Sequence, residues 1–167
     1  MSIDCHNGTT LFVRSGRSRY SPASPEQIVE AARRVIDQRV PVGTAFKDPE
    51  VARTFFHDKL AGLEREVFAV VMLDTRHRLI EYVELFFGTI DGAEVHPREV
   101  AKCALRLNAA AVIVSHNHPS GEVEPSAADR AVTARLKQAL AILDVRLLDH
   151  VIVGGGTTLS MAKQGWL

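Results

Sequence analysis

Residues 109–129 read AAAVIVSHNHPSGEVEPSAAD, an apolar run followed by a polar segment with two histidines. The apolar run from Ala109 to Val114 predicts a buried strand, because short continuous apolar runs are typical of strands covered on both faces. Pro119 and Gly121 predict a turn, since Pro fixes its φ angle and Gly permits unusual ones. Serine is a favoured N-cap, and a helix is expected from residue 127 to about 143. The stretch is therefore a strand-to-helix connection.

Three side chains of this connection suit one divalent metal ion. His116 and His118 are two residues apart, so an extended backbone points both to the same side. Ser126 and Asp129 are three apart and adjacent on the first helical turn, so Asp129 can complete the metal site while Ser126 donates a hydrogen bond into it. Imidazole and carboxylate together suit zinc, and three protein ligands leave a fourth position open for water. The sequence predicts a catalytic Zn²⁺ site.

The residues leave open which further side chains take part. A water bound to zinc has a pKa near about 7 but still needs a general base, and the connection supplies no obvious one. Four carboxylates lie at or inside predicted strands, where a charge is costly unless it is used: Glu64, Glu66, Glu81 and Glu84. Residue patterns alone do not choose between them. His150 lies in an apolar strand, which favours a core group or a partner of a ligand over a ligand.

The rest of the chain alternates helices and strands. Ser24-Pro25 and Asp48-Pro49 each predict the start of a helix, the second running to about residue 63. Further elements are strands over 67–73, 79–87, 89–95, 146–153 and 157–161 and a helix from residue 97. This order indicates an α/β fold with one mixed sheet and helices packed on it. We expect a flexible tail over 1–23, a helix and connection over 24–44, and one domain over 45–167.

Composition is that of an ordinary globular protein. The chain has 167 residues, 46% of them hydrophobic and 24% charged, which argues against disorder. The formal net charge is zero, so no overall field attracts nucleic acid or anionic membranes. Cys5 and Cys103 are far apart, no signal pattern opens the chain, and no apolar run approaches the roughly 20 residues of a membrane span. A cytoplasmic, reducing environment is expected.

The motif resembles that of a known family. His116-x-His118-Pro119 followed by Ser126-x-x-Asp129 looks like the JAMM motif of JAB/MPN metalloprotease domains. The wider sequence, over about residues 45–167, resembles the RadC-like branch of this family. The segments that carry this resemblance are residues 66–68, 88–89, 96–99, 116–121, 125–129 and 148–150. The resemblance implies a JAB/MPN, cytidine-deaminase-like curved mixed sheet flanked by helices.

The resemblance also assigns roles. It implies that His116, His118 and Asp129 bind zinc, and that Glu66, at the start of an early strand, is the acid/base group. Ser126 corresponds to the hydroxyl that helps to hold the oxyanion or the bound water. The chain is then a zinc-dependent hydrolase of metallopeptidase or isopeptidase type, acting on an unidentified peptide or protein.

A second function class is a DNA-repair or mobile-element-associated accessory protein that acts by binding. Arg14, Arg17 and Arg19 could contact nucleic-acid phosphates. RadC-like proteins usually carry a helix-hairpin-helix region, whereas residues 1–44 are short and show no Gly-x-Gly hairpin, as in the short form of the family. The zero net charge also weighs against this alternative.

Overall fold

A computed structural model of the protein describes residues 10–15, 19–88 and 94–167. The chain divides into two compact units, residues 1–39 and 40–167. The sequence analysis expected the main domain to begin at residue 45. Among the described helices, none combines the length and the hydropathy that a membrane span requires.

The first unit contains a hairpin and a helix. Strand β1 (Phe12–Ser15) pairs antiparallel with β2 (Arg19–Pro22), and helix α1 (Pro25–Arg39) follows. The predicted capping residue begins this helix: Ser24 Oγ accepts a hydrogen bond from the Gln27 main-chain N–H at 3.3 Å. Gln27 Oε1 in turn accepts from the Ser24 N–H at 2.9 Å. These reciprocal bonds satisfy two donors at the helix end.

The hairpin differs from the tail that the sequence predicted over residues 1–23. That interpretation was wrong for residues 12–15 and 19–22, where pairing between strands supplies an order that the short segments do not show by periodicity. Arg17 lies outside the described residues, as do the side chains of Arg14 and Arg19. Their predicted contact with phosphates therefore stays a prediction.

The second unit is built on a five-stranded sheet in the order β4-β3-β5-β6-β7. The pairing of β5 with β6 is parallel and the other pairings are antiparallel, which makes the sheet mixed, as predicted. The elements are α2 (Pro49–Leu60), β3 (Val67–Leu73), β4 (Leu79–Phe87), α3 (Pro97–Arg106), β5 (Ala111–His118), α4 (Ala127–Ala141), β6 (Arg146–Gly154) and β7 (Thr157–Ser160).

Apolar side chains fill both faces of this sheet. One cluster joins α2 to the side chains of Val67, Ala69 and Val71 on β3, and the other joins α3 and α4 to Phe68 and Val70. Every residue of β3 is buried, as its continuous apolar run predicted. Helices on both faces around a mixed sheet confirm the predicted α/β class.

The structure differs from the sequence prediction at two strands. Strand β5 was expected to end at Val114, but it continues to His118, because its backbone pairs with β3 as far as His116 and with β6 as far as His118. The strand predicted over 89–95 lies largely outside the described residues, and Glu94 and Val95 do not form a strand. The longer β5 brings both histidines to the end of a central strand.

The loop after β5 packs tightly against the end of β6. A Cβ atom at Gly154 would lie 2.7 Å from the main-chain oxygens of both Gly121 and Glu122. Real Cβ atoms do not approach backbone oxygens this closely, so this position needs glycine. The loop that follows His118 is therefore held against the sheet by backbone contact.

Gly154→Ala is expected to lower the free energy of unfolding by about 1–3 kcal/mol, the usual cost of overpacking. Gly156→Ala is the matched control, because a Cβ there meets nothing within 4 Å. Urea unfolding of both variants measures the difference. Equal stability of the two would contradict the close approach at Gly154.

Candidate metal centre

The three predicted ligands converge at the end of β5. His116 Nε2 lies 2.8 Å from His118 Nε2 and 3.2 Å from Asp129 Oδ1, and His118 Nε2 lies 3.6 Å from Asp129 Oδ2. Ligands of a tetrahedral zinc ion at about 2.0–2.1 Å lie roughly 3.3–3.4 Å from each other. One ligand atom from each side chain falls within 4.8 Å of the others. The donor set and its spacing fit a zinc ion.

The N-terminus of α4 positions the carboxylate. Ser126 Oγ accepts a hydrogen bond from the Asp129 N–H at 3.1 Å, and Asp129 Oδ2 accepts from the Ser126 N–H at 2.7 Å. The Ser126 hydroxyl also donates to Asp129 Oδ2 at 2.6 Å. This capping box fixes the rotamer of Asp129, so that Oδ1 points toward His116.

The pKa values of Asp129 and His118 each depend on the neighbouring group. Burial alone would raise the pKa of Asp129, but the adjoining imidazoles of His116 and His118 and the hydrogen bond from Ser126 hold that pKa well below its usual range. The hydrogen bond to Asp129 raises the pKa of His118 against the opposing effect of burial. The carboxylate is therefore ionised, as a metal ligand must be.

The second nitrogen of each histidine is also bonded. His118 Nδ1 lies 2.7 Å from the main-chain oxygen of Glu122, and because a carbonyl only accepts, Nδ1 carries the proton. His116 Nδ1 lies 2.8 Å from His150 Nε2. Burial holds the pKa of His150 well below its ordinary value, so this ring is neutral. His150 lies behind His116 rather than among the ligand atoms.

The sheet selects among the four glutamates. Phe68 pairs with His116 in the last pair of this ladder, and Glu66 lies two residues before Phe68, where the alternation of an extended backbone directs its side chain to the same face. The charge of Glu66 contributes, after the larger effects of Asp129 and Glu122, to the raised pKa of His118. Glu66 is thus within electrostatic reach of His118.

The other three carboxylates lie elsewhere. Glu84 pairs with Ala69 and so shares the α2 face of the sheet, opposite to the histidines. Glu81 pairs with Met72, about 13 Å along β3 from Phe68. Glu64 is exposed in the loop before β3.

Asn117 is a residue whose contribution sequence reasoning missed. It lies between the two histidines but points to the opposite face and is 3% exposed. Its Nδ2 donates to the main-chain oxygens of Arg65, at 3.0 Å, and Leu63, at 3.4 Å, while Oδ1 accepts from the Val67 N–H at 2.8 Å. One amide therefore holds the backbone on both sides of Glu66. Strand alternation could have indicated the face of Asn117, but not its partners, which lie about fifty residues away in the chain.

Asn117→Leu is expected to lower the free energy of unfolding by about 1–3 kcal/mol, because it leaves buried main-chain groups unsatisfied. Gln138→Leu, at an exposed position of α4, is the matched amide control and is expected to stay within about 0.5 kcal/mol of wild type. Urea unfolding measures both. A stable Asn117→Leu protein would show that the three hydrogen bonds do not hold this segment.

Comparison with known proteins identifies the family of this chain. The family model "RadC-like JAB domain" matches residues 46–166. A UPF0758 protein of Vibrio cholerae is 52% identical over 145 residues, covering 87% of this chain and 91% of that protein.

Other relatives are longer than this chain. A UPF0758 protein of Aeromonas hydrophila is 45% identical over 91% of the chain and 67% of its own length. One from Xylella fastidiosa is 58% identical over 75% of the chain, and the match spans only 56% of that protein. Because the family model covers most of the second unit, the chain belongs to the RadC-like JAB domain family.

Proposed function

We propose that this protein is a zinc-dependent hydrolase of JAMM type, which cleaves peptide or isopeptide bonds. The observation that carries the proposal is the convergence of His116, His118 and Asp129 on one point, with Glu66 on the same face of the sheet. Zinc held by these three residues would lower the pKa of a bound water and polarise a substrate carbonyl. The remaining chemistry falls to side chains of the chain.

Glu66 is the proposed general base and acid. In this role its carboxylate accepts a proton from the attacking water and later gives it to the leaving amine. Its place directly before β3 supports the role, because the adjoining backbone is held by Asn117 and the side chain shares the face of His118. A catalytic group is useful only when its position is fixed in this way.

Ser126 is the proposed oxyanion donor. Its hydroxyl adjoins the ligand group, where the N-terminus of α4 also favours developing negative charge. That hydroxyl donates to Asp129 Oδ2 in the structure, so donation to a substrate requires it to rotate. The helix cap uses a lone pair of Ser126 Oγ, which accepts from the Asp129 N–H, whereas the oxyanion role uses the hydroxyl proton.

A small cleft adjoins the site, and His118 is the one proposed site residue that lines it. Its volume is about 140 Å³, smaller than the roughly 300–1,000 Å³ of pockets that take compact ligands. The loop residues 60–63, the turn after His118 and residues 153–155 line it, and Gly62, Gly121 and Gly155 leave little side-chain bulk there.

Metal analysis of paired variants tests the proposal. Wild-type protein purified with zinc is expected to hold one equivalent, and His118→Ala is expected to lose it. Glu66→Gln keeps the shape of the side chain and is expected to retain zinc while its hydrolytic rate falls by about 10²–10⁴-fold. Cleavage is read by mass spectrometry on a library of peptides that includes isopeptide-linked lysines.

The His118→Ala variant also acts as the control for contaminating proteases, since only cleavages absent from that variant count. A folded wild-type protein without stoichiometric metal would overturn the zinc site. Full cleavage by Glu66→Gln would overturn the assignment of Glu66, and loss of zinc from that variant would make Glu66 a ligand instead.

A further inference from the structure

A chain of hydrogen bonds leads from the metal centre into the core. His116 Nδ1 lies 2.8 Å from His150 Nε2, and His150 Nδ1 lies 2.6 Å from Thr133 Oγ1. Thr133 Oγ1 lies 2.5 Å from the main-chain oxygen of Asp129. The two imidazoles are 1% and 0% exposed, and Thr133 is 2% exposed. This hydrogen-bond chain therefore begins at the proposed ligand His116 and ends on the main-chain oxygen of the proposed ligand Asp129.

The main-chain carbonyl at the end of this hydrogen-bond chain determines which atom donates in each of its hydrogen bonds. A carbonyl oxygen only accepts, so the single hydroxyl proton of Thr133 goes to Asp129, one helical turn earlier, as is common for Thr in helices. Met161 Sδ, at 3.6 Å, is a weak acceptor and does not compete. Thr133 Oγ1 must then accept from His150 Nδ1–H. A neutral imidazole has one N–H, so His150 Nε2 accepts from His116 Nδ1–H.

This direction leaves the lone pair of His116 Nε2 facing His118 and Asp129. The reverse direction would place a proton there. If Thr133 donated to His150, then His150 Nε2–H would donate to His116 Nδ1, and the His116 proton would move to Nε2. A protonated nitrogen cannot bind a metal ion.

We propose that Thr133 and His150 are positioning residues that lock His116 in its metal-binding tautomer, an inference that rests on the proposed zinc site. His118 needs no such relay, because the Glu122 carbonyl in the adjoining loop accepts its Nδ1–H directly. His116 lies inside the sheet, where the backbone carbonyls of β5 and β6 are engaged in strand pairing. A buried side chain has to supply the acceptor there, and that acceptor must itself be held in one tautomer.

Two substitutions of Thr133 separate the effect of its hydrogen bonds on the His116 tautomer from the effect of its side-chain packing. Thr133→Val keeps the branched shape and removes the hydroxyl, whereas Thr133→Ser keeps the hydroxyl. We expect Thr133→Val to raise the Kd for zinc by about 10–100-fold, as the loss of a partner of a ligating histidine usually does. Thr133→Ser is expected to bind zinc like wild type. Competition with a chromophoric chelator measures the Kd, and circular dichroism checks that both variants are folded.

The tautomers are read independently of zinc and of catalysis. In zinc-free protein labelled with ¹⁵N-histidine, at about pH 9 where ordinary histidines are neutral, NMR correlations locate each ring proton. Wild type and Thr133→Ser are expected to carry it on Nδ1 of both His116 and His150. In Thr133→Val it should move to His116 Nε2, where Asp129 Oδ1, 3.2 Å away, can accept it.

Each result decides between specific alternatives. The lock is overturned if wild-type His116 carries its proton on Nε2, or if Thr133→Val keeps the wild-type tautomer or binds zinc as tightly as Thr133→Ser. Wild-type protein that binds zinc but cleaves nothing would contradict the proposed hydrolase and leave the lock standing. Wild-type protein that binds no zinc would remove the proposed metal site, while the NMR measurement would still decide the tautomer.

Discussion

The pairing of β5 with β3 on one side and β6 on the other is the constraint on which the candidate site depends. It keeps residues 116–118 fully extended at the end of a buried central strand, where a free loop would allow many conformations. Extended backbone directs alternate side chains to opposite faces. His116 and His118 therefore meet α4 on one face, and Asn117 meets the segment before β3 on the other. Residues 116–118 thus connect the candidate metal ligands on one face with the backbone around Glu66, the proposed base, on the other.

The carboxylate of Asp129 serves two structural demands at once. It completes the capping box of α4 and it faces the two imidazoles, so the beginning of this helix and the ligand group are one unit. Its ionised form is favoured by both sets of partners. Because Thr133, one turn later, also connects to His150, the first turns of α4 contact the site at two points. Such rigid support is what holds metal ligands and catalytic groups in productive geometry.

Sequence reasoning succeeded where the signal is local. The period of two between the histidines, the i,i+3 relation of Ser126 and Asp129, and the Pro and Gly after the strand are short-range patterns with direct geometric meaning. It failed for the strands β1 and β2, whose order comes from their pairing rather than from periodicity. It also ended β5 too early, because polar residues at 115–118 do not look like a strand until both neighbouring strands are known.

By itself, the sequence determined the α/β class, the candidate metal-ligand set and the strand-to-helix connection that carries it, since each depends on residues close together in the chain. Residue patterns left Glu64, Glu66, Glu81 and Glu84 equivalent, and only the family resemblance favoured Glu66. The tertiary structure brings the charge of Glu66 within reach of His118, a proximity that depends on how segments about fifty residues apart in the chain pack together. It also revealed the contacts of Asn117 with residues 63–67 and of His150 with Thr133 and His116. These contacts join segments far apart in the chain, and hydrogen bonds over such separations leave no periodic trace in a single sequence.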